Sequence, residues 1–168
     1  MTSEIELSTA DLREVTAFAA GCAEGVLEIF EADRPDDARP RDAIDAAWDF
    51  ARGGARGKVL RDTAFGALKA AKDVDTEAAG EAARAAMSAA GAAYLHPLAK
   101  ATQVKHILGA AAYAIRAVEL VDGAAPVEQA VRRATPGVVD VLRRYPAAAG
   151  GGGRVGELIR LLDAELRR

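Results

Sequence analysis

The chain has one cysteine, Cys22, in 168 residues. No internal disulfide can form, and no CxxC metal or redox motif exists. The thiol reads as filler for a helix face. Aromatic residues are only 5% of the chain, so no core of large rings is available. Histidine occurs twice, at His96 and His106. No apolar run reaches the roughly 18 residues of a membrane span. Period-two alternation is absent, which leaves no convincing strand, and no repeat of about 20–50 residues marks a solenoid. The opening MTSEIELSTA is polar and acidic, without a signal-peptide pattern, and a cytoplasmic protein is expected.

Hydrophobic residues make up 51% of the chain, much of it alanine, and net charge is only −3. That composition excludes disorder and requires helices that pack closely, because each alanine fills little space. Ser8, with Asp11 three residues on, forms a capping-box pattern. Helical spacing then runs through Leu12, Val15, Phe18, Cys22, Val26 and Phe30 to about Glu31. Pro40 opens a second helix that Gly53-Gly54 stop. A third runs from Lys58 to Lys72, with Val59, Leu60, Ala64, Leu68 and Ala71 inward. A fourth, nearly all alanine, runs from Thr76 to Leu95, and Pro97 breaks the chain after it. The fifth, Leu98 to Leu120, is the most apolar. A sixth segment opens at Pro126 and is divided by Pro136, and a short final helix covers Val155 to Leu166. The expected fold is all-α: a single-domain bundle of about six to seven helices, with Phe18, Trp48, Leu108 and Ile115 in the core. Residues 1–146 form the Ala-rich domain, 147–153 a Gly-rich flexible link, and 154–168 a C-terminal helix packing on the same domain.

Charge is unevenly spread. Residues 1–50 carry 13 acidic and 4 basic side chains, whereas residues 51–110 carry 5 acidic and 9 basic. An acidic face would steer a basic partner toward it; the same charges also suit pairing of acidic with basic helices inside one domain. Two formal motifs fail. Gly151, Gly153 and Gly156 match GxGxxG, but no strand precedes them, as a dinucleotide site requires. Gly57-Lys58 resembles the end of a phosphate loop, but Val59 stands where Ser or Thr must bind magnesium.

Two constellations remain. In DRPDDARPRDAID, Asp33 to Asp45, a turn between helices is crowded by Asp33, Asp36, Asp37, Arg39 and Arg41. Asp36 or Asp37 is placed to cap the helix that Pro40 opens. Arg39 and Arg41 are placed to pair with Asp33, Asp36 or Asp37 and fix the angle between the first two helices. The corner reads as a salt-bridged lock or as a contact surface, and EF-hand spacing is absent.

The second is YLHPLAKATQVKHILGAAAYA, which holds both histidines with Tyr94, Thr102, Gln103, Lys105 and Tyr113. Thr102, Lys105, His106, Gly109 and Tyr113 follow helical spacings and are expected to share one face. His96 would reach that face only across the Pro97 break. A third metal ligand is not evident and the spacing fits no zinc signature. The stretch is therefore either structural, each histidine bonding locally between helices, or a polar pocket for a small molecule or peptide. No metal, cofactor or nucleic acid is expected. The Ala-rich helices suit a monomer and a homodimer equally.

The order FAAGCAEGVLEIFE, PDDARPRDAIDAAWDFARG, an Ala-rich helix, then YLHPLAKATQVKHILGAAAYA resembles the immunity-protein-five-like group of bacterial polymorphic toxin systems, common in actinobacteria. The likeness covers about residues 12–120. It is most specific at Arg39 to Ile44 and Leu95 to Leu108. Some similar sequences carry an exonuclease-subunit label, but this chain has neither the phosphate loop nor the long coiled coil of such an enzyme. The resemblance implies a protein that neutralises a cognate toxin by binding it, with no chemistry of its own. The rival is a helical small-molecule-binding or resistance protein, or a small enzyme with His96 or His106 as base.

Overall fold

Ser8 begins the first helix as the sequence requires. Its Oγ accepts from the Asp11 N–H and the Asp11 carboxylate accepts from the Ser8 N–H, closing the capping box ahead of α1 (Thr9–Glu24). The computed structural model describes residues 2–168. Beyond α1 the chain forms α2 (Leu27–Asp33), α3 (Arg39–Ala51), α4 (Lys58–Ala71) and α5 (Glu77–Gly91). There follow α6 (Val104–Asp122), α7 (Val127–Arg133), α8 (Pro136–Arg143) and α9 (Gly153–Leu166). Single 3₁₀ turns occupy Ala92–Tyr94 and Ala101–Gln103. Glu4 and Leu98 form an isolated antiparallel bridge, and there is no strand among the described residues. No described helix is long and apolar enough to cross a membrane.

The all-α class holds, but nine α-helices among the described residues replace the expected six or seven. The first periodic run is two helices, because the backbone leaves helical geometry at Val26, φ −120 and ψ 3. Apolar spacing continues across that break, so periodicity alone could not reveal it. The Pro126 segment is likewise two helices, with Thr135 capping the second through the Val138 N–H. The fourth helix ends at Gly91 rather than Leu95, and the fifth starts at Val104 rather than Leu98, with both 3₁₀ turns around Pro97.

Helix α5 is the axis of the packing. It lies against α1, α2, α3, α4 and α6, and Ala79, Ala82, Ala83, Ala85, Ala86, Ala89 and Ala90 are all fully buried. Only a methyl-sized side chain fits on every side of a helix so enclosed. The larger core residues come from its neighbours: Phe18, Phe30, Ile44, Phe50, Ile107, Leu108 and Ile115. Trp48 departs from expectation. It is half-buried at the edge of the core, with its indole N–H donating to Glu24 at 2.6 Å and Arg52 over its ring. Val59, expected inward, is 53% exposed. Arg13 of α1 satisfies the end of α3, donating to the carbonyls of Phe50 and Gly54.

Candidate functional site

The acidic corner is salt-bridged, with the expected pairing for Arg39 and a different partner for Arg41. Asp37 accepts from the Arg39 N–H and, through both oxygens, from the Arg39 guanidinium, the shorter contact being 2.6 Å. Arg39 therefore holds the Asp37 carboxyl below the usual carboxylate range. Arg39 also reaches Asp73 at 2.8 Å, joining the start of α3 to the end of α4. Arg41 does not pair with Asp33, Asp36 or Asp37. It makes a bidentate pair with Glu31 at 2.6 and 2.9 Å, joining α2 to α3. Asp33 instead accepts from the N–H groups of Asp75 and Thr76 ahead of α5. Asp36 is exposed and makes no ion pair among the described residues. The partners Glu31, Asp73, Asp75 and Thr76 lie up to 43 residues away, which is why the local sequence did not reveal most of them. The Arg41 pair is exposed, so solvent screens it and it adds little to stability.

Beside this corner, α3 presents Asp42, Asp45 and Asp49, all exposed, on one face at helical spacing. Glu28 of α2 is exposed too. None of these four pairs with a cation among the described residues. The basic residues nearest them are already engaged, Arg41 by Glu31 and Arg52 over the Trp48 ring.

The histidine stretch is divided by the fold. Lys105, His106, Gly109 and Tyr113 share one side of α6 and line a cavity of about 440 Å³. The opposite walls come from α5, with Met87, Ser88 and Gly91, and from α9, with Val155, Gly156 and Ile159. Thr102 is exposed on the 3₁₀ turn before α6 and is not on that face, contrary to expectation, because the helix starts two residues later. Tyr94 lies elsewhere, its hydroxyl donating to the Gly57 carbonyl at 3.1 Å with Arg56 and Arg61 over its ring. Gln103 accepts from the His96 N–H at 2.9 Å, tying the Pro97 loop to the turn. The His96 carbonyl accepts from the buried Tyr145 hydroxyl at 2.8 Å. His96 itself is exposed and outside the cavity.

The far wall owes its place to ion pairs and glycines. Glu119 of α6 accepts from Arg154 of α9 at 2.5 and 3.0 Å and from Arg116 at 2.7 Å. Arg154 holds the Glu119 carboxyl down to about 2. At the other end of α9, buried Asp163 accepts from Arg167 at 2.6 Å and from the Ala148 N–H at 2.9 Å. Gly151, Gly152 and Gly153 all have positive φ, a conformation L side chains rarely adopt. A Cβ on Gly156 would overlap the Gly151 carbonyl, so the loop folds back onto the first turn of α9 only with glycine there. The run read from sequence as a link thus forms part of the cavity wall. The contribution of α5 and α9 carries no local signature, since it depends on contacts between segments far apart in the chain.

Burial, then the nearby charges of Lys105 and His96, push the His106 imidazole below its ordinary value. An unfolded chain, with His106 near about 6.5, binds more protons in this range. Stability therefore rises with pH between the depressed folded value and about 6.5, and falls on acidification below it. Urea denaturation at pH 7.5 and 5.5 is expected to show a larger acid loss for the native chain than for His106→Gln. Equal losses would show that His106 titrates alike in the folded and unfolded chains.

A family model described as "Imm-5 like putative immunity protein" matches residues 6–135. No curated protein and no solved structure matches the chain.

Proposed function

Because the chain belongs to the Imm-5 like family of immunity proteins, we propose that it neutralises a toxin by binding it, and that α2 and α3 make the contact. The observation that carries this reading is the set of uncommitted carboxylates on one face of α3: Asp42, Asp45 and Asp49 are exposed and without a cation partner among the described residues, and Glu28 of α2 is exposed and unpaired in the same way. Such a surface attracts a basic partner, and a nuclease domain or another protein with a cationic cleft has the complementary charge. Trp48 sits at its border, half-buried and held by Glu24, as a rigid aromatic anchor of the type that dominates interface energies. Inhibition of this kind needs no catalytic group, only occupancy of the toxin's cleft. The chain acts as one unit in this reading, with α9 a fixed part of it.

The test is co-expression with a candidate toxin domain encoded beside this gene. The native chain is expected to restore growth. The triple change Asp42→Lys, Asp45→Lys and Asp49→Lys is expected to abolish protection and slow association about a hundredfold at low salt, with the helical circular-dichroism spectrum unchanged. Full protection by the triple variant would refute α3 as the contact.

A further inference from the structure

The cavity between α5, α6 and α9 lies apart from the acidic surface and has a different chemistry. Its polar groups are concentrated on α6. Lys105 and His106 stand at one end, and Tyr113 lies seven residues further on, about 10 Å along the axis. Ser88 faces Gly109 from α5. None of these four side chains makes a hydrogen bond or ion pair among the described residues, which leaves their polar groups available to a ligand. The remaining wall is apolar, with Met87 on α5 and Val155 and Ile159 on α9. No carboxylate lines the space, although the chain is acidic overall. Glu81, whose charge reaches Tyr113, is paired with Arg84 at 2.7 Å.

We infer that this cavity binds a small amphipathic carboxylate, its acid group on Lys105 and His106 and its apolar body against Met87, Val155 and Ile159. The volume lies within the range of small-molecule sites, about 300–1,000 Å³. The ammonium of Lys105 and the imidazole of His106 supply donors for an anion, and nothing in the lining offsets the charge of a cation. Ser88 and the Tyr113 hydroxyl would contact a polar substituent at the other end. The site is separate from the proposed toxin contact: its lining comes from α5, α6, α9 and the turn before α9, and none of it from α2 or α3.

The probe is 2-naphthoate, with 2-naphthalenemethanol and 2-naphthylmethylamine as its neutral and cationic counterparts. Titration of the full chain by calorimetry and histidine NMR is expected to show one saturable naphthoate site. Occupancy should move the His106 ring resonances and raise the His106 pKa, reversing the effect of the surrounding cations. Lys105→Ala is expected to weaken binding about tenfold. Gly91→Leu should abolish it. A Cβ at Gly91 meets nothing within 4 Å and the backbone there is right-handed helical, so leucine fills the cavity without displacing the fold. A circular-dichroism melt of the variant checks this. Failure of naphthoate to saturate at millimolar concentration overturns the proposal. So does equal affinity in the folded Gly91→Leu variant. Binding of the alcohol or the amine as tight as naphthoate overturns the carboxylate assignment.

Discussion

Leu108→Ala is expected to lower stability by about 2–5 kcal/mol, seen as a fall in melting temperature of about 2–4 °C for each kcal/mol. Leu108 is fully buried on α6, which lies directly against α5. The facing side chains of α5 are mostly alanines. A methyl has no rotamer with which to move into the space left behind, so a cavity persists instead of collapsing. The converse change should also destabilise. Ala86 is fully buried on α5, and Ala86→Leu forces helices apart, costing about 1–3 kcal/mol. Thermal denaturation followed by circular dichroism measures both. A loss under about 1 kcal/mol for Leu108→Ala would mean that the α5–α6 contact is looser than the structure shows.

A loss of about 3 kcal/mol is expected for Arg167→Ala. Asp163 is 4% exposed, and Arg167 is its cation partner. Removing the guanidinium strands a buried carboxylate, the costly way to break such a pair. The value falls at the low end of the usual 3–5 kcal/mol because the Ala148 N–H still donates to Asp163. The same guanidinium donates to the carbonyls of Tyr145 and Pro146, so α9 loses its clamp to the preceding loop. Replacing both partners, Asp163→Leu with Arg167→Met, should recover most of the loss, since no unpaired charge remains. If the single change costs no more than the double in urea denaturation, the clamp does not hold α9. The cavity wall at Val155 and Ile159 is then held by the Arg154–Glu119 pair and the buried Leu158 and Leu162.

Helix type, the Ser8–Asp11 capping box and the burial of Phe18, Leu108 and Ile115 were legible in the sequence, because each follows from spacing within a few turns. So was the grouping of Lys105, His106, Gly109 and Tyr113, since residues three or four apart share a helix face wherever the helix packs. Residues separated by a helix boundary were not. Thr102 and His96 fall off that face because the chain enters α6 through a 3₁₀ turn, and a sequence with apolar residues on both sides of Pro97 does not say where the helix starts. The break at Val26 was hidden for the same reason.

Charge composition identified an acidic first third, but not which carboxylates are satisfied. Arg41 chose Glu31 over three nearer-looking aspartates, and Asp33 went to the start of α5, because pairing is decided by distance in space after the helices have packed. The sequence by itself determined an all-helical chain, its Ala-rich packing and its membership of an immunity family, all properties of local pattern. Only the tertiary structure decided which carboxylates are left without an ion pair among the described residues and that α9 lines a cavity beside His106. Both depend on contacts between segments tens of residues apart, and no local period encodes them.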